Sequence, residues 1–223
     1  MKREKFLSLV GLSMAGTAFL SGKQHRDGHV VADLTDCNDP ITPPIPEGPY
    51  YKNEKLMRMD ITEASPGTAI DYVIRVEDEH CKPVRDALVD IWQCDAHGRY
   101  SDFSAEKTEG QTWLRGMQHT DEHGVCRFNS IFPGWYDGRI THVHVKVHVD
   151  GKTLLTTNFF FPKSFQDEIY ASPLYPKGPN PVTIQQDAEL HVDKDAKRHD
   201  TLLMKMERNS KGSLVASYTV AVG

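Results

Sequence analysis

From Ile70 onward the chain keeps a hydrophobic period of two, and that rhythm restricts most of it to strands. Ile70, Tyr72, Ile74 and Val76 alternate with Asp71, Arg75 and Glu77, the pattern of a strand with one face buried. Turn signals recur at 79–83, 95–98, 121–124, 133–134, 137–138 and 150–151. Between them lie short β-rich runs over 87–94, 125–131, 141–149 and 153–161, and closing strands are expected over 201–206 and 213–222. Short strands between frequent turns predict an all-β fold, an antiparallel β-sandwich. Residues 163–200, rich in Pro, Asp and Lys, read as long loops with room for one short helix.

Two segments precede this β-rich domain, which is expected over 61–223. Residues 23–60 read as an extended arm, because the run from Asp39 to Pro49 holds too many prolines for a helix or an inner strand. Residues 1–22 have the layout of a secretory signal peptide: a cationic start (Lys2, Arg3, Lys5), the apolar run Phe6–Leu20, then small residues for cleavage. That run falls short of the roughly 20 apolar residues of a membrane span. The mature chain is therefore expected to be soluble and exported, either periplasmic or secreted, with no span of its own.

The charge balance bears on partners. Lys and Arg number 26 against 31 Asp and Glu, a formal net charge of −5, and no basic run offers itself to phosphates. Nucleic acid is not an expected partner, whereas the apolar pattern leaves homo-oligomerisation open. The four cysteines contain no C-x-x-C pair, which argues against a zinc ribbon. In an exported chain they favour disulfides, with Cys81–Cys94 preferred among three pairings.

The sharpest local feature is the run Thr141–Val149. Alternation puts Thr141, Val143, Val145, Val147 and Val149 on one face and His142, His144, Lys146 and His148 on the other. Histidines two apart on a strand stand about 7 Å apart at the backbone, and their rings can converge on one ion. His148 lies about 13 Å beyond His144 and reads as solvated or structural. Alone, a His-x-His pair divides evenly between a metal site and two surface histidines. No H-E-x-x-H is present, and the next glutamate downstream is Glu168, so zinc-protease and cupin patterns are not matched. Just before the pair comes Pro133-Gly134-Trp135-Tyr136-Asp137-Gly138-Arg139, and upstream a strand ends in the turn Asp95-Ala96-His97-Gly98-Arg99-Tyr100.

The runs PEGPYY, CKPVRDALVDIWQCDAHGRYSDF and WLRGMQHTDEHGVCRFNSIFPGWYDGRITHVHVKV resemble the intradiol ring-cleavage dioxygenases, the group with protocatechuate 3,4-dioxygenase and catechol 1,2-dioxygenase. The likeness runs in order from about Glu47 to Phe161. It implies a non-haem Fe(III) held by Tyr100, Tyr136, His142 and His144. It also implies that a catechol-type diol and O2 give a cis,cis-muconate-type product. Tyr136 would leave the metal and take a substrate proton, and Arg139 would stabilise charge on the ring. Phenolate, a hard anionic oxygen donor, suits a highly charged oxidised ion. The family's glutamine in a T-Q-x-Y/F-F run is replaced by Asn158 here, and the hairpin register leaves open whether Thr157 or Asn158 faces His144. The long helical N-terminal region of catechol 1,2-dioxygenases is absent, which places the chain nearer the protocatechuate or exported single-domain branch. Tyr50, Tyr51 and Trp135 are candidates to line the pocket, and no Arg or Lys clamp for a substrate carboxylate is evident. The alternatives are an exported, metal-free β-sandwich binding module and a zinc-dependent hydrolase built on the same histidines.

Overall fold

The structure, a computed structural model, describes residues 41–190 and 200–223. The expected signal peptide and the first part of the arm, as well as Cys37, lie outside the described residues. In chain order the elements are β1 (Ala69–Asp78), β2 (Leu88–Trp92), β3 (Arg115–His119), β4 (Val125–Ile131), β5 (His142–Val149), β6 (Lys152–Phe160), α1 (Lys163–Tyr170), β7 (Lys205–Arg208) and β8 (Leu214–Val222). They form two four-stranded sheets, ordered β4-β1-β8-β7 and β3-β2-β5-β6. The fold is a β-sandwich in which every strand pair but one is antiparallel; β1 and β8 run parallel.

The alternation in β1 and β5 produces the core. Ile70, Tyr72, Ile74 and Val76 on one sheet and Val143, Val145 and Val147 on the other are all at most 1% exposed. Each such aliphatic side chain contributes roughly 1.5–3 kcal/mol on leaving water. The opposite face of β5, with His142, His144 and Lys146, is buried as well, so it faces a second, polar interior. Segment 41–60 supplies part of that cover by crossing between sheets. Thr42 N donates to Ala221 O on β8, Ile45 N to Thr156 O on β6, and Arg58 N to Met117 O on β3. Asp60 bridges to Asn129 on β4.

Two differences from the sequence reading have clear causes. Strand β3 shows no hydrophobic alternation, and its pairing with β2 defines it. It also hugs the arm so closely that a Cβ at Gly116 would sit 2.5 Å from Ile61 Cγ2. The closing strand expected over 201–206 begins only at Lys205, because Leu202 and Met204 are instead spent on the core, where both are at most 1% exposed. The favoured Cys81–Cys94 bridge does not form: Cys94 is a free, buried thiol, as is Cys126.

The β5–β6 hairpin sets the register at the histidines. Asp150 and Gly151 have φ of 50° and 74°, a two-residue turn of the kind hairpins favour. Val149 pairs with Lys152 and His148 with Thr153, but Val147 pairs with Leu155. Leu154 is thus an extra residue, a β-bulge, and it moves β6 on by one position. Asn158, not Thr157, therefore stands opposite His144.

Candidate metal centre

Two tight loops and one strand bring the four sequence-selected ligands together. Asp95 organises the first loop. Its Oδ1 accepts from the backbone N–H of His97 and Arg99, and Gly98 N donates to its carbonyl. The turn closes with Gly98 at φ +84°, a conformation open to glycine without strain, and Tyr100 follows inward at 1% exposure. The second loop packs directly on the first, since Gly134 N also donates to Asp95 O. A Cβ at Gly98 would lie 2.1 Å from Trp135 O, one residue before Tyr136. Gly98→Ala should therefore push the two tyrosine loops apart. We expect a loss of at least about 2 kcal/mol from backbone strain and overlap, read as a lower urea midpoint, together with weaker metal retention.

At the centre, Tyr100 Oη lies 3.0 Å from His144 Nε2, Tyr136 Oη 3.1 Å from His142 Nε2, and the two Nε2 atoms 3.1 Å from each other. Donors bound to one ion at roughly 2.1 Å and near-right angles stand about 3 Å apart. The three contacts, which link Tyr100, His144, His142 and Tyr136 in turn, thus have the spacing of neighbouring ligands on one ion. Among the described residues no group of three or more His, Cys, Asp or Glu is arranged to hold a metal, so a metal at this site depends on the two phenols.

The rings are held from behind. Trp92 stacks flat on His144, centroids 4.7 Å apart and planes 5° off parallel. Tyr50, from the arm, stacks on Tyr100 at 4.1 Å and meets Tyr136 edge-on at 5.6 Å. Tyr51 packs instead against the Trp92 ring, and Trp135 Nε1 donates to Gly178 O. Of the three pocket-lining candidates, Tyr50 alone touches both phenols. Trp92, Asp187 and Glu189, which the sequence reading did not single out, complete the setting. Trp92 carries a usable signal, because it ends β2 in register with His144; the other two lie in a loop with no pattern to mark them.

Behind the histidines runs a polar chain. His142 Nδ1 donates to Ile140 O at 2.6 Å, which leaves its Nε2 lone pair facing the centre. Arg139 is 4% exposed. Its Nε donates to both Asp187 oxygens at 3.0 Å, its Nη2 donates to Asn158 Oδ1 at 2.7 Å, and its Nη1 pairs with Glu189 at 2.8 Å. The Asn158 amide lies 2.9 Å from His144 Nδ1; for His144 Nε2 to offer its lone pair to an ion, Nδ1 must carry the ring proton, so the amide oxygen that accepts from Arg139 must also accept from Nδ1–H. All three Arg139 nitrogens are thus committed within the protein. Its evident work is to orient Asn158, and through it His144.

Burial dominates the electrostatics. It holds Tyr100 well above the ordinary phenol value, reinforced by the neighbouring Tyr136, and it raises Tyr136 against the pull of Arg139. Burial, then Arg139, lowers His142 to about 3, and burial, then His142, keeps His144 well below the usual imidazole range. The histidines are neutral, and both phenols are protonated until an ion displaces their protons. With at least two protons released per ion, apparent affinity should rise roughly a hundredfold per pH unit below the phenol pKa values. Competition against a chelator at pH 6 and pH 8 measures this slope.

A second buried carboxyl stands on the same side of the sheet. Asp90 in β2 is pushed up to about 7 by burial, against the opposing pull of a Tyr51 hydrogen bond, Lys146 and Arg115. Its folded value exceeds the ordinary carboxylate value near 4, so the folded state holds a proton that the unfolded chain has released. The resulting stabilisation is complete below about pH 4 and disappears as pH rises through about 7. Asp90→Asn should flatten this contribution. Between pH 5 and pH 8 its urea midpoint should fall less than that of the unsubstituted protein.

The sequence model of the Dioxygenase family matches residues 44–196. The chlorocatechol 1,2-dioxygenase of Rhodococcus opacus is 26% identical over 140 residues, covering 52% of this chain and 54% of that protein. The protocatechuate 3,4-dioxygenase beta chain of Burkholderia cepacia is 36% identical over 106 residues, 42% of this chain and 45% of that one. The chain spans about half the length of the curated relatives it matches. An intradiol ring-cleavage dioxygenase from Tetranychus urticae superposes with a TM-score of 0.75 at 27% identity, covering 83% of this chain and 95% of that chain.

Proposed function

The chain belongs to the intradiol ring-cleavage dioxygenase family, and from that premise we propose that it cleaves a catechol-type diol between its hydroxylated carbons with O2. The observation that carries this reading is the run of three contacts of 3.0–3.1 Å that links Tyr100, His144, His142 and Tyr136. The residues fit Fe(III), since two phenolates and two neutral imidazoles present hard, partly anionic donors. Held there, Fe(III) would supply the Lewis-acid and redox chemistry that makes a diol ring reactive toward dioxygen.

The protein's own part is to shape, orient and move protons. Tyr100, 1% exposed and stacked under Tyr50, is the fixed phenol. Tyr136 is more exposed and sits on a loop, which suits it to swing from the centre and accept a diol proton at Oη. Arg139 and Asn158 hold His144 in orientation, and the Arg139 guanidinium lends positive charge to the site. Trp92 and Tyr50 exclude water on two sides. The product is a cis,cis-muconate-type diacid. We read the signal-like residues 1–22 as directing export to the periplasm or outside; among the described residues no helix is long and apolar enough to cross a membrane.

Iron loading followed by catechol under nitrogen tests the reading. A reddish protein whose visible band shifts on adding the diol, and which turns the diol into a muconate on admitting air, is the expected result. A folded protein that stays colourless and leaves the diol intact would instead support a metal-free binding module.

A further inference from the structure

Glu189 stands at the rim of the centre with no assigned work. Its side chain is 26% exposed. A Cβ on Gly48 would touch both His144 Cε1 at 3.7 Å and Glu189 Oε1 at 3.8 Å, so the carboxylate borders the same space as the ligand ring. It also raises the Tyr136 phenol. Its Oε2 lies 2.8 Å from Arg139 Nη1 but is misaligned, so this buried oxygen has no hydrogen-bond donor. No hydrogen bond to a described residue engages Oε1 either.

Among the described residues, the cations nearest the centre are occupied. Arg139 is divided among Asp187, Glu189 and Asn158. Arg115 donates to Ser101 and to Tyr50 O. Lys146 pairs with Glu47 beneath the Tyr51 ring, Lys52 pairs with Asp102, and Lys177 donates to Trp135 O. A carboxylate on an incoming ring would find no uncommitted cation among these and would lie beside an anion. Like charges a few ångströms apart in a partly dry site repel strongly enough to weaken binding about 30-fold or more at an effective dielectric near 20.

We infer that Glu189 is a specificity-determining residue that selects diols without an acid group and favours those carrying an ammonium group. This rests on the dioxygenase reading and narrows it away from ring-carboxylated substrates. The unengaged Oε1 accepts from the ammonium, and Arg139 stays committed to Asn158.

The test compares kcat/KM of the iron-loaded protein for catechol, 3,4-dihydroxybenzoate and 3,4-dihydroxyphenethylamine. The same three are run on Glu189→Gln and, for the unsubstituted protein, at low and high salt. The expected order is amine, then catechol, then acid, with the acid at least about 30-fold below the amine. Glu189→Gln should compress the amine-to-acid ratio by roughly tenfold or more, and high salt should compress it in the same direction. Should Glu189→Gln fold poorly, the salt dependence alone decides. Turnover of catechol with acid and amine used equally, or a ratio indifferent to both salt and Glu189→Gln, overturns this inference and leaves the dioxygenase reading intact. No turnover of any of the three, with a visible spectrum that none of them shifts, overturns both.

Discussion

Tyr100→Phe should fold as the unsubstituted protein does and yet lose most of its hold on iron. The substitution keeps the ring that stacks at 4.1 Å on Tyr50 and removes one oxygen from a shell spaced at about 3 Å. A change that merely disturbs groups behind a ligand costs about 10–100-fold in metal affinity. Losing an anionic ligand from an ion of high charge should exceed that, with turnover reduced more than about a thousandfold. Any remaining visible band would come from Tyr136 alone and should be weaker and shifted. Chelator competition and the spectrum of the loaded variant check the two parts separately. Full iron affinity with unchanged turnover would remove Tyr100 from the metal and return it to the role of a buried aromatic.

Asp187→Ala should be the most destabilising single change at the site, by about 3–5 kcal/mol. Asp187 is 0% exposed. It accepts from Arg139 Nε and from the backbone N–H groups of Ile140, Glu189 and Leu190. Its removal leaves a buried guanidinium short of its principal counter-charge and backbone donors without partners, and each such donor costs about 1–3 kcal/mol. The urea midpoint should drop with little change in slope. Adding Arg139→Met should cost much less than the two single effects combined, because the orphaned charge is then gone. Additivity of the two substitutions would show that the pair is not coupled.

Legibility in the sequence varied with the range of the interaction responsible. Alternation in β1 and β5 is a local consequence of backbone geometry, so the strands, the buried valine row and the shared histidine face could all be read directly. The Asp95–Gly98 and Pro133–Gly134 turns announce themselves through their residues, and with them the approach of Tyr100 and Tyr136. Strand β3 was not legible, since Arg115–His119 pairs with β2 without an alternating apolar face of its own. The hairpin at Asp150-Gly151 was legible as a turn, but the bulge at Leu154 was not, and the bulge decides that Asn158 meets His144.

By itself, the sequence determined the β-sandwich, through short-range periodicity and turn chemistry carried by neighbouring residues, and its family resemblance pointed to four candidate donors. The tertiary structure alone decided what surrounds those donors. Asp187 and Glu189 reach Arg139 across 48 and 50 positions of chain, and Tyr50 reaches Tyr100 from the arm. These are contacts between segments whose separation no local pattern encodes. They form only when two sheets, a bulged hairpin and a crossing arm have packed, because burial in the assembled interior is what makes such pairings necessary.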